Sequence, residues 1–324
     1  MQEALQQLKQ TVEDFLSISL EPYDPVRIYG EVAIGMSKLS LGVLSCEKKE
    51  HSKEEILEAL APARAALSES VFLHRCQEWP RGYPGDFETI HHLYHAYNKA
   101  PENTLGYFCE RFSLHSASTQ QHRNKLHHQA QVLTQLALES TQEETKILSL
   151  ASSSCIDLHL AMPILQRSQA QIVVNDVDED ALEAARTLLA PLSSQCTFHC
   201  GNAMELVAWD ADELGLFDLI LTGGLFDYLS DKHVVFLLKQ MLNYMLKPGG
   251  SVFFTNIAQP NPFRMSMAYL GSWAIIERTV EDIERLVDKT GIPGLRLEIQ
   301  QEQTGLTHLV RVYTSANTQE DSEA

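Results

Sequence analysis

The sequence has few basic residues, no cysteine framework and no long apolar run. Its 25 lysines and arginines stand against 43 acidic residues, which gives a formal net charge of −18. Such a charge repels phosphate backbones, so nucleic acid is not expected as a partner. The six cysteines are scattered without regular spacing, which favours a reducing compartment over a secreted, disulfide-stabilised fold. No window holds 18 consecutive apolar residues, so no membrane span is predicted.

No targeting signal is predicted from the first residues. Met1 to Leu5 contain no basic region followed by an apolar run, so no signal peptide is predicted. The apolar content is 44% over 324 residues, which is ordinary for a globular protein. These features together predict a cytoplasmic protein.

Residues 1–135 have a helical pattern without a convincing strand. Ser52 and Glu55 have the spacing of a capping box, which predicts a helix start at Ser52. The segment from Trp79 to Asp86 contains two prolines and two glycines, which predicts an irregular loop. Further helices are expected from Phe87 and from about Gln120 to Leu138. We therefore predict a helical N-terminal cap domain over 1–135.

From Lys146 onward, short β-rich runs alternate with helical segments. The predicted strands are 146–151, 171–177, 196–200, 217–223 and 250–256. This alternation favours parallel strands joined by crossovers. Two later runs, 295–303 and 306–314, are so close that they must be antiparallel, and a helix capped by Thr279 precedes them. The prediction is an α/β, Rossmann-like sheet over 136–315, with five parallel strands and a C-terminal antiparallel hairpin, followed by a disordered tail at 316–324.

Small residues follow the first predicted strand, where a ligand could approach the backbone and the start of a helix. Asp176 ends the second strand, a position from which a carboxylate can bind both hydroxyls of a ribose. Asn202 follows the third strand and could meet an adenine amino group through its carbonyl oxygen, or could be a turn residue. Thr222 and two glycines end the fourth strand and permit close backbone approach.

This order of features resembles the class I methyltransferases that use S-adenosyl-L-methionine (SAM). Those enzymes usually carry an acid near the methionine amine and three glycines at alternate positions of the first loop. Here Ser149 stands in place of the acid, and Ala151, Ser153 and Cys155 stand in place of the glycines. The resemblance implies SAM as the cofactor, bound by Ser149, Ala151, Ser153, Asp176, Val177, Asn202, Ala203, Thr222 and Gly223.

A narrower resemblance covers roughly residues 70 to 314. The segments that carry it are Arg81–Asp86, Ile147–Ala151, Gly224–Leu229 and Asn261–Thr279. They resemble bacterial methyltransferases identified as 3-hydroxypalmitic acid methyl ester synthases, the quorum-signal carboxyl methyltransferases. This resemblance implies a helical cap over the site and a carboxylate acceptor. Members often have Cys-Gly-Pro in the first loop, where this chain has Ser152, Ser153 and Ser154.

Methyl transfer from a sulfonium needs in-line placement of the acceptor and a desolvated site. A carboxylate is already nucleophilic at neutral pH, so the protein needs donors to orient it and no strong base. Arginine can bind a carboxylate through two hydrogen bonds, and aromatic rings can face the sulfonium. The predicted catalytic residues are Tyr228, Arg81, Tyr83 and Arg264, and the predicted acceptor-binding residues are Arg123, Asn261, Tyr269 and Trp273.

Histidines raise the question of a metal site. His91 and His95 have the four-residue spacing that can bind zinc on a helix, but spacing fixes no third ligand and no HExxH pattern occurs. No metal is therefore predicted. A histidine acting as general base toward an amine or hydroxyl acceptor stays open.

Two other functions and one assembly question stay open as well. The enzyme could instead use the aminocarboxypropyl arm of SAM, by transfer or by cyclisation that releases methylthioadenosine, and the serine at 149 is compatible with this. The chain could also be a SAM-binding module without turnover. Phe15, Leu16, Ile18 and Leu20 could serve either the cap or a homodimer contact.

Overall fold

The computed structural model describes residues 2–139, 145–209 and 214–315. Two compact units are present: 1–122 with 261–275, and 123–260 with 276–324. The sequence predicts a domain boundary near 135, whereas the two units divide between 122 and 123. The first unit also includes residues 261–275, which are distant in the sequence. The tail 316–324, predicted to be disordered, lies outside the described residues.

Seven helices lie within the described residues 2–139. They are α1 (Gln2–Leu16), α2 (Pro25–Lys48), α3 (Lys53–Leu67), α4 (Val71–Glu78), α5 (Phe87–His95), α6 (Leu105–His115) and α7 (Ala117–Glu139). The capping box predicted at Ser52 is confirmed, because its side chain accepts from Glu55 N and Glu55 accepts from the Ser52 backbone. Trp79 adopts a left-handed conformation (φ 48°) and ends α4 where the predicted loop begins.

The core of the first unit is built from apolar faces of these helices together with the segment 261–275. Phe15 is fully buried there, and Ile18 and Leu20 pack against the same core. Leu16 is exposed. Three of the four residues considered for a homodimer contact are therefore used inside the unit itself.

The second unit is built on a seven-stranded sheet. Its strands are β1 (Lys146–Leu150), β2 (Gln171–Asp176), β3 (Cys196–Cys200), β4 (Phe217–Thr222), β5 (Leu246–Ile257), β6 (Arg296–Gln301) and β7 (Thr307–Tyr313). The order is β3-β2-β1-β4-β5-β7-β6. The first five strands pair in parallel and β7 pairs antiparallel with β5 and β6. The predicted fold class is confirmed.

Helices cover both faces of the sheet. They are α8 (Ile156–Leu165), α9 (Glu179–Leu188), α10 (Ala203–Trp209), α11 (Asp231–Gln240) and α12 (Val280–Asp288). Successive strand side chains point to opposite faces, so Ile147 and Leu148 belong to two different apolar clusters. The carboxyl ends of the parallel strands lie along one edge, where ligands bind in open α/β sheets.

Candidate cofactor and acceptor sites

The loop after β1 has an unusual backbone. Ala151, Ser153 and Cys155 have φ values of 50°, 53° and 60°, in the left-handed region that favours glycine. These are the three positions at which the resemblance places glycines. The loop therefore keeps a glycine-type conformation with small side chains, and Ser152 N ties it to the carbonyl of Asn175 at 2.9 Å.

Asp176 at the end of β2 faces this loop. One carboxylate oxygen accepts from Ser153 N at 2.7 Å and the other accepts from Asp178 N at 3.0 Å. The side chain is buried, and burial raises its pKa although the backbone hydrogen bonds act in the opposite direction. Val177 beside it is exposed, and Asp178 caps α9 by accepting from Asp180 N. The carboxylate is thus held beside the loop and away from bulk solvent.

The loop after β3 lies next to Asp176. Gly201 N donates to the carbonyl of Asp176 at 2.9 Å. The side-chain oxygen of Asn202 accepts from Met204 N at 2.8 Å, so Asn202 caps α10, while Ala203 is buried. This geometry agrees with the turn interpretation of Asn202 and leaves its side-chain NH₂ as a donor.

The side chain of Gln129, which is not among the predicted site residues, covers the end of β4. A Cβ placed on Gly223 would lie 2.2 Å from Nε2 of Gln129, so any larger residue there would displace the Gln129 amide. The same nitrogen donates to a carboxylate oxygen of Asp157 at 3.1 Å. Asp157 is buried in the first turn of α8, and burial raises its pKa to about 6.

A second pair of charges lies at the neighbouring Gly224. A Cβ there would lie 3.1 Å from Nζ of Lys125 and 3.5 Å from a carboxylate oxygen of Asp227. Burial lowers the pKa of Lys125, and the charge of Asp227 opposes this shift. Burial raises the pKa of Asp227 to about 6. Its other oxygen accepts from Ile257 N and from the side chain of Asn256.

Lys125 and Gln129 were missed because a polar residue on a helix is ordinarily solvent-exposed. Both are buried, and they are four residues apart on α7, so they lie on one face of the helix. The sequence signal that could have identified them is the four-residue spacing of two long polar side chains in a helix with few large apolar residues.

Unsatisfied polar atoms collect at the ends of β1 and β4. Ser149 pairs with Leu221 across these neighbouring strands, and Thr222 is the last residue of β4. Within the described part of the chain, four buried side-chain oxygens here have no hydrogen-bond partner: Ser149 Oγ, Ser153 Oγ, Thr222 Oγ1 and Gln129 Oε1. Buried polar atoms are almost always bonded, so Ser149 Oγ and Gln129 Oε1 fit a polar ligand such as the amino-acid arm of SAM. Thr222 pairs with Phe254 and points to the opposite face of the sheet from Ser149.

Two other predicted residues lie in the second unit. Tyr228 follows the short helical turn Leu225–Asp227 and is partly exposed. Arg123 is partly buried, and burial lowers its pKa. Both lie in the same unit as the end of β4.

Most of the predicted catalytic and acceptor-binding residues lie in the first unit. The guanidinium of Arg81 lies 4.9 Å from the centre of the Phe87 ring, and Tyr83 lies in the same loop. Arg264 forms an ion pair with Glu47, and the Tyr269 hydroxyl donates to Glu47 at 2.8 Å. Burial, followed by Glu47, raises the pKa of Tyr269 to about 12, so it remains a neutral donor.

The first unit also contains an apolar cavity that includes Trp273. The cavity volume is about 70 Å³. The rings of Trp273 and His122 lie 5.6 Å apart at its wall. Asn261 accepts from Phe263 N at 2.9 Å and so positions a lining residue. The lining residues are Met36, Phe72, Leu73, Cys76, Leu93, Phe112, Ser113, Ser116, Ser118, Thr119, His122, Phe263, Ser266, Met267, Leu270, Gly271 and Trp273.

The histidines considered for zinc form ring contacts. His91 and His95 pack edge to face with centroids 6.0 Å apart. Across 2–139, 145–209 and 214–315, no three His, Cys, Asp or Glu side chains are grouped so that they could hold a metal ion. Over the same ranges, no helix is long and apolar enough for a membrane span.

Comparison with known proteins gives a domain match. Residues 154–250 match the family model described as a methyltransferase domain. No curated protein matches the chain. A possible exported protein from Bordetella parapertussis has a similar crystal structure: the TM-score is 0.56 and the identity 18%, over 97% of this chain and 95% of that one.

Two further similar structures are methyltransferases. Magnesium protoporphyrin IX methyltransferase from Synechocystis with bound S-adenosylhomocysteine has 10% identity and a TM-score of 0.47, over 62% of this chain and 88% of that one. The N-methyltransferase from Bradyrhizobium japonicum has 16% identity and a TM-score of 0.42, over 59% of this chain and 87% of that one.

The domain match and the sheet define the class of protein. The chain is a SAM-dependent methyltransferase, a transferase whose cofactor is S-adenosyl-L-methionine.

Proposed function

We propose that the enzyme methylates a carboxylate oxygen of a small, largely apolar acceptor and forms a methyl ester. The observation that carries this proposal is the cavity of the first unit, whose lining is mainly aliphatic and aromatic. Such a lining favours an apolar group of the acceptor by the hydrophobic effect and excludes water from it. The resemblance to carboxyl methyltransferases supports the same class of acceptor.

The cofactor supplies the activated methyl group, and the protein's residues bind and orient. In the proposal, Asp176 binds the ribose. Asn202, Ala203 and Val177 border the adenine. The small side chains of Ala151 and Ser153 leave room for the cofactor at the backbone. Ser149, Thr222 and Gly223 border the amino-acid arm. A carboxylate acceptor needs no general base, so desolvation and placement are the main contributions of the protein.

We assign acceptor roles in the same way. Trp273 forms a wall of the cavity, and Asn261 positions the segment beside it. Arg264 and Tyr269 both bind the carboxylate of Glu47, and we assign them positioning roles. In the first unit, Arg81 and Tyr83 are proposed as donors for the carboxylate of the acceptor. In the second unit, Arg123 is proposed as a donor and Tyr228 as the aromatic group for the sulfonium.

The test is a product assay on the purified full chain. Free fatty acids of graded length are supplied with SAM, beside the matched alcohols and amides, and the products are identified by mass spectrometry. The proposal expects S-adenosylhomocysteine together with methyl esters of the acids alone. Methylthioadenosine in its place would show use of the aminocarboxypropyl arm, and SAM binding without any product would show a non-catalytic module.

A cavity variant makes the assay specific to the acceptor site. Trp273→Ala enlarges the cavity, so it should shift the preferred chain length upward while SAM affinity stays within about twofold. An unchanged preference for chain length in a folded variant would show that the cavity does not bind the acceptor.

We also propose a cytoplasmic location. All six cysteines are free, and four of them are buried, which suits a reducing compartment.

A further inference from the structure

The amino-acid arm of SAM carries an ammonium group, which needs acceptors and a counter-charge when it is buried. At the ends of β1 and β4, Ser149, Ser153 and Thr222 supply only neutral hydroxyls. Ser149 in particular supplies no charge. An acidic group must therefore reach this edge of the sheet from another element.

Asp157 is such a group. It lies in the first turn of α8, directly after the loop, and it is buried. One carboxylate oxygen accepts from Leu158 N at 2.9 Å, and the other accepts from Gln129 Nε2 at 3.1 Å. Because a carboxylate in this geometry only accepts, the amide nitrogen of Gln129 must face it.

This contact fixes the orientation of the Gln129 amide. Its oxygen, Oε1, then points away from Asp157, and it is buried without a partner in the described part of the chain. The amide lies over Gly223, since a Cβ there would lie 2.6 Å from this oxygen. An unpaired acceptor and a buried carboxylate thus occur together at the end of β4, a combination that selects a cationic N–H donor.

We propose that Gln129 and Asp157 form the subsite for the ammonium group of SAM. Gln129 Oε1 accepts one ammonium N–H, and the Asp157 carboxylate supplies the negative charge that Ser149 does not. Gln129 thereby links α7 to the cofactor and fixes the carboxylate behind it. The proposal deepens the proposed function and rests on it only for SAM as the cofactor.

The test measures binding, independently of turnover. Isothermal titration compares S-adenosylhomocysteine with its deaminated analogue, which keeps the adenosine and the carboxylate but lacks the amine. The wild-type chain should bind S-adenosylhomocysteine at least tenfold more tightly. In Gln129→Met and Asp157→Asn this preference should fall to about twofold or less, because the amine has lost its partner. Gln135→Met is the matched control on the exposed face of the same helix and should keep the full preference.

The outcomes separate two failures. Equal loss of affinity for both ligands in the two variants would show a purely structural role and overturn the ammonium subsite. A wild-type chain that binds the two ligands equally would overturn it as well. A wild-type chain that binds neither ligand would overturn the proposed function itself.

Discussion

At the scale of single residues, the loop after β1 has a left-handed backbone conformation at three positions that are not glycine. A residue other than glycine costs about 1–3 kcal/mol in the left-handed region, and the loop contains three such residues at alternate positions. The sequence could predict small residues there but not this backbone, because alanine, serine and cysteine rarely adopt it. The buried contacts around the loop, such as that between Asp176 and Ser153 N, hold the conformation in place.

The cost can be measured at Ala151. Ala151→Gly should raise the free energy of unfolding by about 1 kcal/mol, because relief of left-handed strain exceeds the added chain entropy. Urea denaturation is the measurement. Ala170→Gly is the comparison: Ala170 precedes β2 without a positive φ and is buried, so the same change there should lower the free energy of unfolding by about 1 kcal/mol or more, through added chain entropy and a lost buried methyl group. Equal losses at both positions would contradict strain at Ala151.

The role of Asp176 is a second prediction at this scale. Asp176→Asn keeps the size of the side chain but removes its charge, and hydrogen bonds to charged groups contribute about 1.5–3 kcal/mol. The dissociation constant of S-adenosylhomocysteine should therefore rise about tenfold or more, as measured by isothermal titration. Asp178→Asn, which alters the cap of α9, should change it by less than threefold. A similar loss of affinity for S-adenosylhomocysteine in both variants would mean that the substitutions only destabilise this region.

At the scale of elements, the sequence best predicted those helix starts and strands that local side-chain chemistry determines. The capping boxes that begin α3 and α12 are present, and the strands follow the predicted runs to within a few residues. The division of the chain was less predictable. Residues 261–275 join the first unit because apolar side chains such as Leu270 and Trp273 pack into its core, a long-range contact that no local pattern encodes.

The cap of α12 gives the prediction at this scale. Thr279 accepts from Asp282 N, and Asp282 accepts from Thr279 N. Thr279→Ala removes one of these bonds and should lower the free energy of unfolding by about 1 kcal/mol, whereas Thr279→Ser should restore most of it. Chemical denaturation checks both variants. An alanine variant as stable as the serine variant would show that the cap contributes little.

At the scale of the whole molecule, buried carboxyls connect stability with cofactor binding. The sequence shows 43 acidic residues, but it cannot show that Asp157 and Asp227 are buried, because their burial depends on α7 and on the order of the strands. Burial raises the pKa of each to about 6, well above the value near 3.9 of an unfolded chain. The folded chain therefore binds protons between about pH 6 and pH 4 that the unfolded chain does not.

The sign of the pH effect follows from this difference. A carboxyl with a raised pKa in the folded state adds stability as the pH falls through 6. His91 and His308, whose pKa values are lowered by burial, act in the opposite direction, so the wild-type curve alone is ambiguous. The difference between the wild-type chain and Asp157→Asn isolates one carboxyl, since both chains keep the two histidines.

From pH 7 to pH 5, the free energy of unfolding of the wild-type chain should rise relative to Asp157→Asn by about 1 kcal/mol. Affinity for S-adenosylhomocysteine should move in the opposite direction, because protonation of Asp157 removes the charge that faces the ammonium group. Urea denaturation and titration at pH 7, 6 and 5 measure the two effects. If the wild-type chain gains both stability and affinity on acidification, Asp157 does not bind the ammonium group of the cofactor. Protonation of Asp157 neutralises the carboxylate, and it therefore cannot strengthen the attraction of this group for a cation.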